Sequence, residues 1–308
     1  MADKTLHITN GDSLTQRLLQ HNNFEKVISW REILCEGPAT HHVFSEEFIF
    51  TRIQYLKNEY EGTEDRYLDF VKQYQPMDYK EFDGIVLWFE YDLFCHVNLA
   101  AVVAFLRQHD HNLPVYWVCS GAIEGSDRLF GLSELSHEQL NKHYLDKRNL
   151  NDKELEVLSN FWTLYTAEDH RPLSDLDFSE ETFPYLTHSI QAHLKRFPAE
   201  TNGLNELEKR VLEAIDEELF SNTRQLLAYL LRNQGYYGFG DMQWSAVIQR
   251  LDRFFDQDQG LSLTSEGKDI LKGRKTAWEV LKDATQFGGS SKYEYFYDSI
   301  SNNLKPVS

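Results

Sequence analysis

The chain has 308 residues, 41% of them hydrophobic and 14% aromatic, which is enough apolar material for about two packed domains and excludes a disordered chain. Its three cysteines, Cys35, Cys95 and Cys119, are too few and too scattered for a disulfide scaffold or a structural zinc site. The formal charge is −18, and because residues from Leu204 onward hold 13 basic against 16 acidic groups, the preceding part is net −15 and repels nucleic-acid backbones.

Along the chain, the first third alternates strands and helices. Thr5 to Thr9 reads as a buried strand, Asn10-Gly11-Asp12-Ser13 as a tight turn, and Leu14, Leu18 and Leu19 as one face of a helix. A second strand, Val27 to Trp30, runs into Arg31 and Glu32, and Gly37-Pro38 after Glu36 stops regular structure. Helical periodicity follows at Glu46 to Tyr60 and Glu64 to Tyr74. A third strand, Gly84 to Phe89, ends at Glu90-Tyr91-Asp92. The next helix carries Leu99, Val102, Val103 and Leu106, and Val115 to Val118 is a fourth strand. Continuously apolar strands separated by helices predict a small Rossmann-like parallel sheet over residues 1–130 of an α/β protein.

Residues 131–200 read as a helical region. Ser136-x-x-Gln139 and Asn151-x-x-Glu154 are capping boxes, and Pro184 to Leu194 is a third helix. Pro198 to Gly203 is the predicted linker. Residues 201–287 open with another box, Asn205-x-x-Glu208, on a helix whose Leu207, Val211, Leu212 and Ile215 share a face. Two more helices, Ser221 to Asn233 and Asp241 to Phe255, and a short strand, Leu261 to Thr264, complete a winged-helix-like pattern. Residues 288–308 read as a loosely ordered tail. The most apolar stretch, Leu99 to Leu106, is far shorter than the ~20 residues of a membrane span. The opening residues lack the basic-then-apolar pattern of a secretory signal, so a cytoplasmic setting is expected.

In an open parallel sheet, ligands bind outside the carboxyl ends of the strands. Three such ends are polar: Asn10, Gly11, Asp12 and Ser13; Arg31, Glu32 and Glu36; and Glu90, Asp92, His96 and Asn98. Asp12, Glu90, Asp92 and His96 are the candidate catalytic groups, and the other seven are candidates for holding a ligand. Each also has a plainer reading. Asp12, Ser13 and Asp92 suit helix capping, Arg31 suits an ion pair with Glu32 or Glu36, and His96 suits a hydrogen-bonded core position. Glu90 is harder to explain away, because it follows five apolar residues and a buried carboxylate needs a partner such as Arg31, His96 or a metal. Asp12, Glu90 and Asp92 together are a candidate set for a divalent metal such as magnesium. Trp30 and Trp88 read as core or pocket wall. The His41-His42 doublet and the His109/His111 pair lack a carboxylate or thiol at ligand spacing and read as loop histidines. Neither G-x-G-x-x-G nor a P-loop is present.

Gly11-Asp12-Ser13-Leu14 resembles the nucleophile block of GDSL (SGNH) esterases, which implies a nucleophilic role for Ser13. The later Gly-x-Asn-Asp and Asp-x-x-His blocks of that family are missing from this sequence. Three strings in order, Leu6 to Ser13, Trp30 to Pro38, and Leu87 to Cys95 with Asn98-Leu99, resemble the bacterial domain-of-unknown-function family 1835 over about residues 5 to 120. That resemblance implies a bacterial cytoplasmic setting and brings no reaction with it.

The leading expectation is a protein that binds and acts on a small anionic ligand, phosphate- or nucleotide-bearing. Arg31 and the amides after Gly11 would hold the anion, the three acids would supply acid/base groups or a metal site, and His96 would shuttle protons. The alternative is a ligand-sensing regulator whose winged helix contacts DNA or protein. Sequence-specific duplex-DNA binding is not expected, because the third helix sets Arg250 and Arg253 against Asp241 and Asp252, and the wing sets Lys268 against Glu266.

Overall fold

The computed structural model describes residues 4–21, 24–60, 62–75, 77–109, 113–126, 128–258 and 260–307. The opening residues Met1 to Asp3 and His111 lie outside them. Strand β1 (Thr5–Asn10) leads into helix α1 (Asp12–His21), and β2 (Lys26–Trp30) leads through the two-residue β3 (Gly37–Pro38) to α2 (Glu46–Glu59) and α3 (Glu64–Val71). Then come β4 (Gly84–Trp88), α4 (Leu93–Gln108), β5 (Val115–Val118), α5 (His137–Leu145), β6 (Arg148–Leu150), α6 (Asp152–Tyr165) and α7 (Leu186–Leu194).

The main sheet has the order β2-β1-β4-β5-β6, parallel throughout except for β6, which runs antiparallel to β5. Ile8 is paired with Ile28 on one side and with Leu87 on the other. Side chains alternate across the pleat. Leu6, Ile8, Ile28, Trp30, Ile85 and Leu87 join the large core with α4, whereas Val86, Trp88 and Val118 join Leu14 and Leu18 of α1 on the other face. Ile8, Ile28, Val86 and Val118 are all buried, as continuous apolar strands require. Helix α4 is buried on every side from Cys95 to Leu106, because α6 and α7 cover the faces that the sheet does not. All three expected capping boxes are formed, at Ser136, Asn151 and Asn205.

The remainder comprises α8 (Glu206–Glu217), α9 (Thr223–Arg232), α10 (Asp241–Arg250), β7 (Phe255–Asp256), β8 (Ser262–Leu263), α11 (Ser265–Leu271), α12 (Trp278–Leu281), β9 (Gln286–Gly288), β10 (Ser290–Ser291), β11 (Tyr295–Asp298) and β12 (Asn303–Pro306). The third of these helices stops at Arg250 rather than Phe255. A 3-10 turn, Asp252–Phe254, intervenes before β7, which pairs antiparallel with β8.

Two expectations about the chain's organisation fail. Residues 288–308 are not a loose tail over their described length: β10 pairs antiparallel with β9, which itself pairs with β3, and β11 and β12 form an antiparallel pair. Glycine makes the first of these possible, because a Cβ on Gly288 would lie 2.1 Å from the carbonyl oxygen of Tyr165 and one on Gly289 2.2 Å from that of Thr166. Nor is Pro198 to Gly203 a free linker. Its Asn202 is buried and accepts from the Ala277 amide at 2.8 Å, and one connected core runs from Leu6 to Leu304. Among the described residues, no helix is long and apolar enough to cross a membrane.

Candidate functional site

Because β1, β2 and β4 are parallel, their carboxyl ends meet at one edge of the sheet. Asn10, the last residue of β1, sits in the middle. Its Oδ1 accepts from Asn98 Nδ2 at 2.8 Å, and its Nδ2 donates to Cys95 Sγ at 3.0 Å. Asn98 also donates to the Glu32 carbonyl at 2.8 Å and accepts from the Leu34 amide. One buried amide thus ties three strand ends together, which makes Asn98 a positioning residue.

On one side of Asn10, Gly11 turns the chain into α1 with φ +99, and nothing lies within 4 Å of where its Cβ would be. Arg31 Nε donates to Asp12 Oδ1 at 2.7 Å, and both side chains are about half exposed. The other two nitrogens of Arg31 have no acceptor among the described residues, and the same holds for the amides of Asp12, Ser13 and Leu14 at the start of α1. Beneath them, Tyr74 is buried with its hydroxyl unpartnered, within reach of the charges of Arg31 and Asp12. Ser13 is exposed, and no hydrogen bond joins it to a histidine among the described residues.

On the other side, Glu90 Oε1 accepts from the Leu132 amide at 2.6 Å. Asp92 caps α4, accepting from the Cys95 amide at 2.8 Å. Burial, reinforced by the charge of Asp92, raises the pKa of Glu90, and burial raises that of Asp92 against the pull of its bonds to Cys95. Each acid is therefore biased toward its protonated form. Ligand atoms of Glu90, Asp92 and Cys95 all lie within 4.8 Å of one another. This trio replaces the expected metal set, since Asp12 is held by Arg31 instead. A thiol in the set favours a softer divalent ion than magnesium, although burial and both carboxylates raise the Cys95 pKa well above the usual thiol range.

Three candidates are corrected by their surroundings. Glu32 has a fully buried side chain paired with Arg52 at 3.1 Å and hydrogen-bonded to the Tyr67 hydroxyl, so it holds the loop together and faces no ligand. Glu36 points away from Arg31 into another cavity, where it meets the Tyr60 hydroxyl. His96 is completely buried, its Nδ1 lies 2.6 Å from Ser189 Oγ, and burial pushes its pKa down to about 3; it is a neutral core residue and no proton shuttle near pH 7.

Sequence reasoning missed what closes the site. The first amides of α4 are taken by carbonyls from far along the chain, Leu93 N by Tyr236 O at 2.8 Å and Phe94 N by Tyr237 O at 3.3 Å. Gly238, at φ +68, lies so close that a Cβ there would fall 2.2 Å from Asp92 Cγ. Gly131 presses on Glu90 in the same way, its Cβ position being 2.8 Å from Oε2. The glycines at 235, 238 and 240 were the available signal. Beyond β5, still on the carboxyl edge, lies a cavity of about 590 Å3, lined in part by Ser120, Gly121, Lys142, His143, Arg148 and Tyr185. Its size suits a small molecule, and most of its polar lining comes from the helical region that the sequence left without a role.

No family model matches the chain, and no curated protein matches it. A crystal structure of the Plasmodium falciparum topoisomerase II DNA-binding, cleavage and re-ligation domain is similar to 81% of this chain over 42% of its own length, at 11% identity and a TM-score of 0.47. A likeness of that degree carries no argument about this chain.

Proposed function

We propose that the carboxyl edge of the sheet binds a small anionic molecule, phosphate- or nucleotide-bearing, with its oxyanion on the first amides of α1 and on Arg31. The observation that carries this reading is the set of unused donors. Arg31 commits only Nε to Asp12, which leaves a planar fork suited to two oxyanion oxygens beside three unpaired helix amides. Glu90 and Asp92, each biased toward its protonated form by burial, would supply acid/base exchange to a ligand reaching across Asn10. With Cys95 they would alternatively hold a divalent cation. Kinship with family 1835 and a cytoplasmic setting belong to the same proposal.

The test is a thermal-shift and calorimetric screen of the whole protein with nucleotides, sugar phosphates and divalent metals. Arg31→Ala should weaken any phosphate-bearing hit by ~1.5–3 kcal/mol, the worth of a charge-assisted hydrogen bond, while leaving the melting temperature nearly unchanged. A variant that melts several degrees lower, with no ligand shifting the wild type, would make Arg31 purely structural.

A sensor is the second reading, favoured by the contact of Tyr236 to Gly238 with the start of α4. That loop joins α9 to α10 in a helix-helix-helix-hairpin order, α8 to α10 then β7-β8, which we read as winged-helix-like. Protein rather than duplex DNA is its proposed contact. Arg250 is turned inward to Glu208 and Asp283, and Arg253, in the turn after it, is paired with Glu266, so the third helix and its exit have little positive charge to offer phosphates.

A further inference from the structure

Behind the loop that carries Glu32 and Glu36 lies a separate cavity of about 210 Å3, enclosed by α2, α8, α10 and β9. Arg196, on its wall, is 1% exposed. Nη1 donates to the Cys35 carbonyl, and Nη2 donates to His193 Nδ1 at 2.6 Å. The latter bond fixes the protons beyond it. His193 Nε2–H donates to His170 Nδ1 at 2.8 Å, and His170 Nε2–H donates to the Tyr165 carbonyl at 2.7 Å. Both rings are neutral, and burial holds both below the usual histidine range. The ring of Phe287 lies 4.0 Å from the guanidinium carbon. No partner so far is an anion. Nε has no acceptor, and no carboxylate among the described residues is in ion-pair range of Arg196.

The same cavity is lined by Lys292 and Arg250, which share one buried carboxylate, Glu208, at 2.8 and 3.4 Å. Glu36 is a half-buried acid on the wall, and loss of hydration raises its pKa toward the neutral form. Glu59 stands exposed on the same lining. Asp283 pairs with Arg250 from behind at 2.6 Å, so Glu208 and Asp283 balance Lys292 and Arg250, and Arg196 is the cation left without a carboxylate in ion-pair range. A buried guanidinium without a counter-charge is costly, and an anion would supply the missing one.

We propose that this cavity is a second binding site, which takes a small oxyanion, a phosphate or carboxylate head group, as the missing counter-charge of Arg196 within the field of Lys292 and Arg250. Its volume holds several waters but is below the ~300–1,000 Å3 typical of sites for larger ligands, so the occupant is compact. It shares no residue with the Arg31 site.

Calorimetry of the full-length Arg31→Ala protein, with inorganic phosphate or acetate as probe, separates the two sites. One site per chain should survive that substitution. Arg196→Met and Lys292→Met should each weaken binding by about tenfold or more, and Glu36→Gln should tighten it by removing a competing negative charge. Should Arg196→Met fail to fold, the opposite signs for Lys292→Met and Glu36→Gln still decide the matter, and a phosphate-soaked crystal should show density between Arg196 and Lys292. Binding of only one probe names the head group. Binding of neither, its loss in Arg31→Ala, shifts of the same sign in the two variants, or density at Arg31 alone overturns the proposal.

Discussion

Replacing Arg52 by methionine tests whether the loop after β2 is held by buried charge. Arg52 is completely buried within α2. It donates to Glu32 Oε2 from Nε at 3.2 Å, to the carbonyls of Glu36 and Pro38 from Nη1 at 2.8 and 3.0 Å, and to the Ile33 carbonyl from Nη2 at 3.1 Å. Methionine fills much of the volume but returns none of these bonds. The Glu32 carboxylate would keep only the Tyr67 hydroxyl and the Ile33 amide, and three carbonyls would lose a donor. Breaking one side of a buried pair costs about 3–5 kcal/mol, and the orphaned carbonyls favour the upper end of that range. At ~2 °C per kcal/mol, the melting temperature should fall by roughly 6–10 °C. Equilibrium urea unfolding, followed by circular dichroism and by the fluorescence of nearby Trp30, measures the loss. The double variant Arg52→Met/Glu32→Leu should recover part of it, since removing both charges leaves no buried ion uncompensated. A single variant within about 1 kcal/mol of wild type would refute the reasoning, because an exposed pair costs no more than that.

Three further outcomes follow from the site. Glu90 and Asp92 have folded-state pKa values above their unfolded ones, so their contribution is fully present below the ordinary carboxylate range and is lost as pH rises through the raised values. Stability should accordingly fall between about pH 4 and about pH 7 in the wild type and fall less in Glu90→Gln; parallel pH profiles for the two proteins would contradict this. Gly238→Ala should cost ~2–4 kcal/mol, combining left-handed strain with a clash against Asp92, whereas Gly11→Ala, at φ +99 but in open space, should cost only ~1–2 kcal/mol. Denaturant midpoints of the two variants check the difference, and equal losses would mean that the loop at Gly238 does not press on the site.

Much of the N-terminal fold was legible because its signals are local. Apolar runs ending in Thr9, Trp30, Phe89 and Val118 predicted four parallel strands, and side-chain capping at Ser136, Asn151 and Asn205 needs only residues three apart. The site was legible in part. Parallel strands brought Asp12, Arg31, Glu90, Asp92 and Asn98 to one edge, but the role of each depended on a partner that no local pattern reveals. Glu32 is structural because Arg52 reaches it from α2, and Glu36 left the site because Tyr60 and the Arg196 cavity lie on its side of the loop. The tail was misjudged for a related reason. Its Ser, Asn and Tyr composition resembles that of a loose segment, yet Tyr293 and Phe296 pack on Trp278 and Gly288 fits against a carbonyl.

The pairing of β3 with β9 has a consequence for how the protein is made. Gly37 and Phe287, partners in that ladder, are separated by 250 residues. At the ~5–20 residues per second of a ribosome, the N-terminal loop waits roughly 12–50 s for its partner strand to be synthesised. Throughout that interval β3 lacks its neighbour; the Arg196 guanidinium, once made, waits for the Phe287 ring, and the start of α4 gains the carbonyls of Tyr236 and Tyr237 only late in it. A nascent chain arrested near residue 200 should therefore hold the five-stranded sheet with an unsealed carboxyl edge, and a protease or a chaperone would meet that edge before any ligand does.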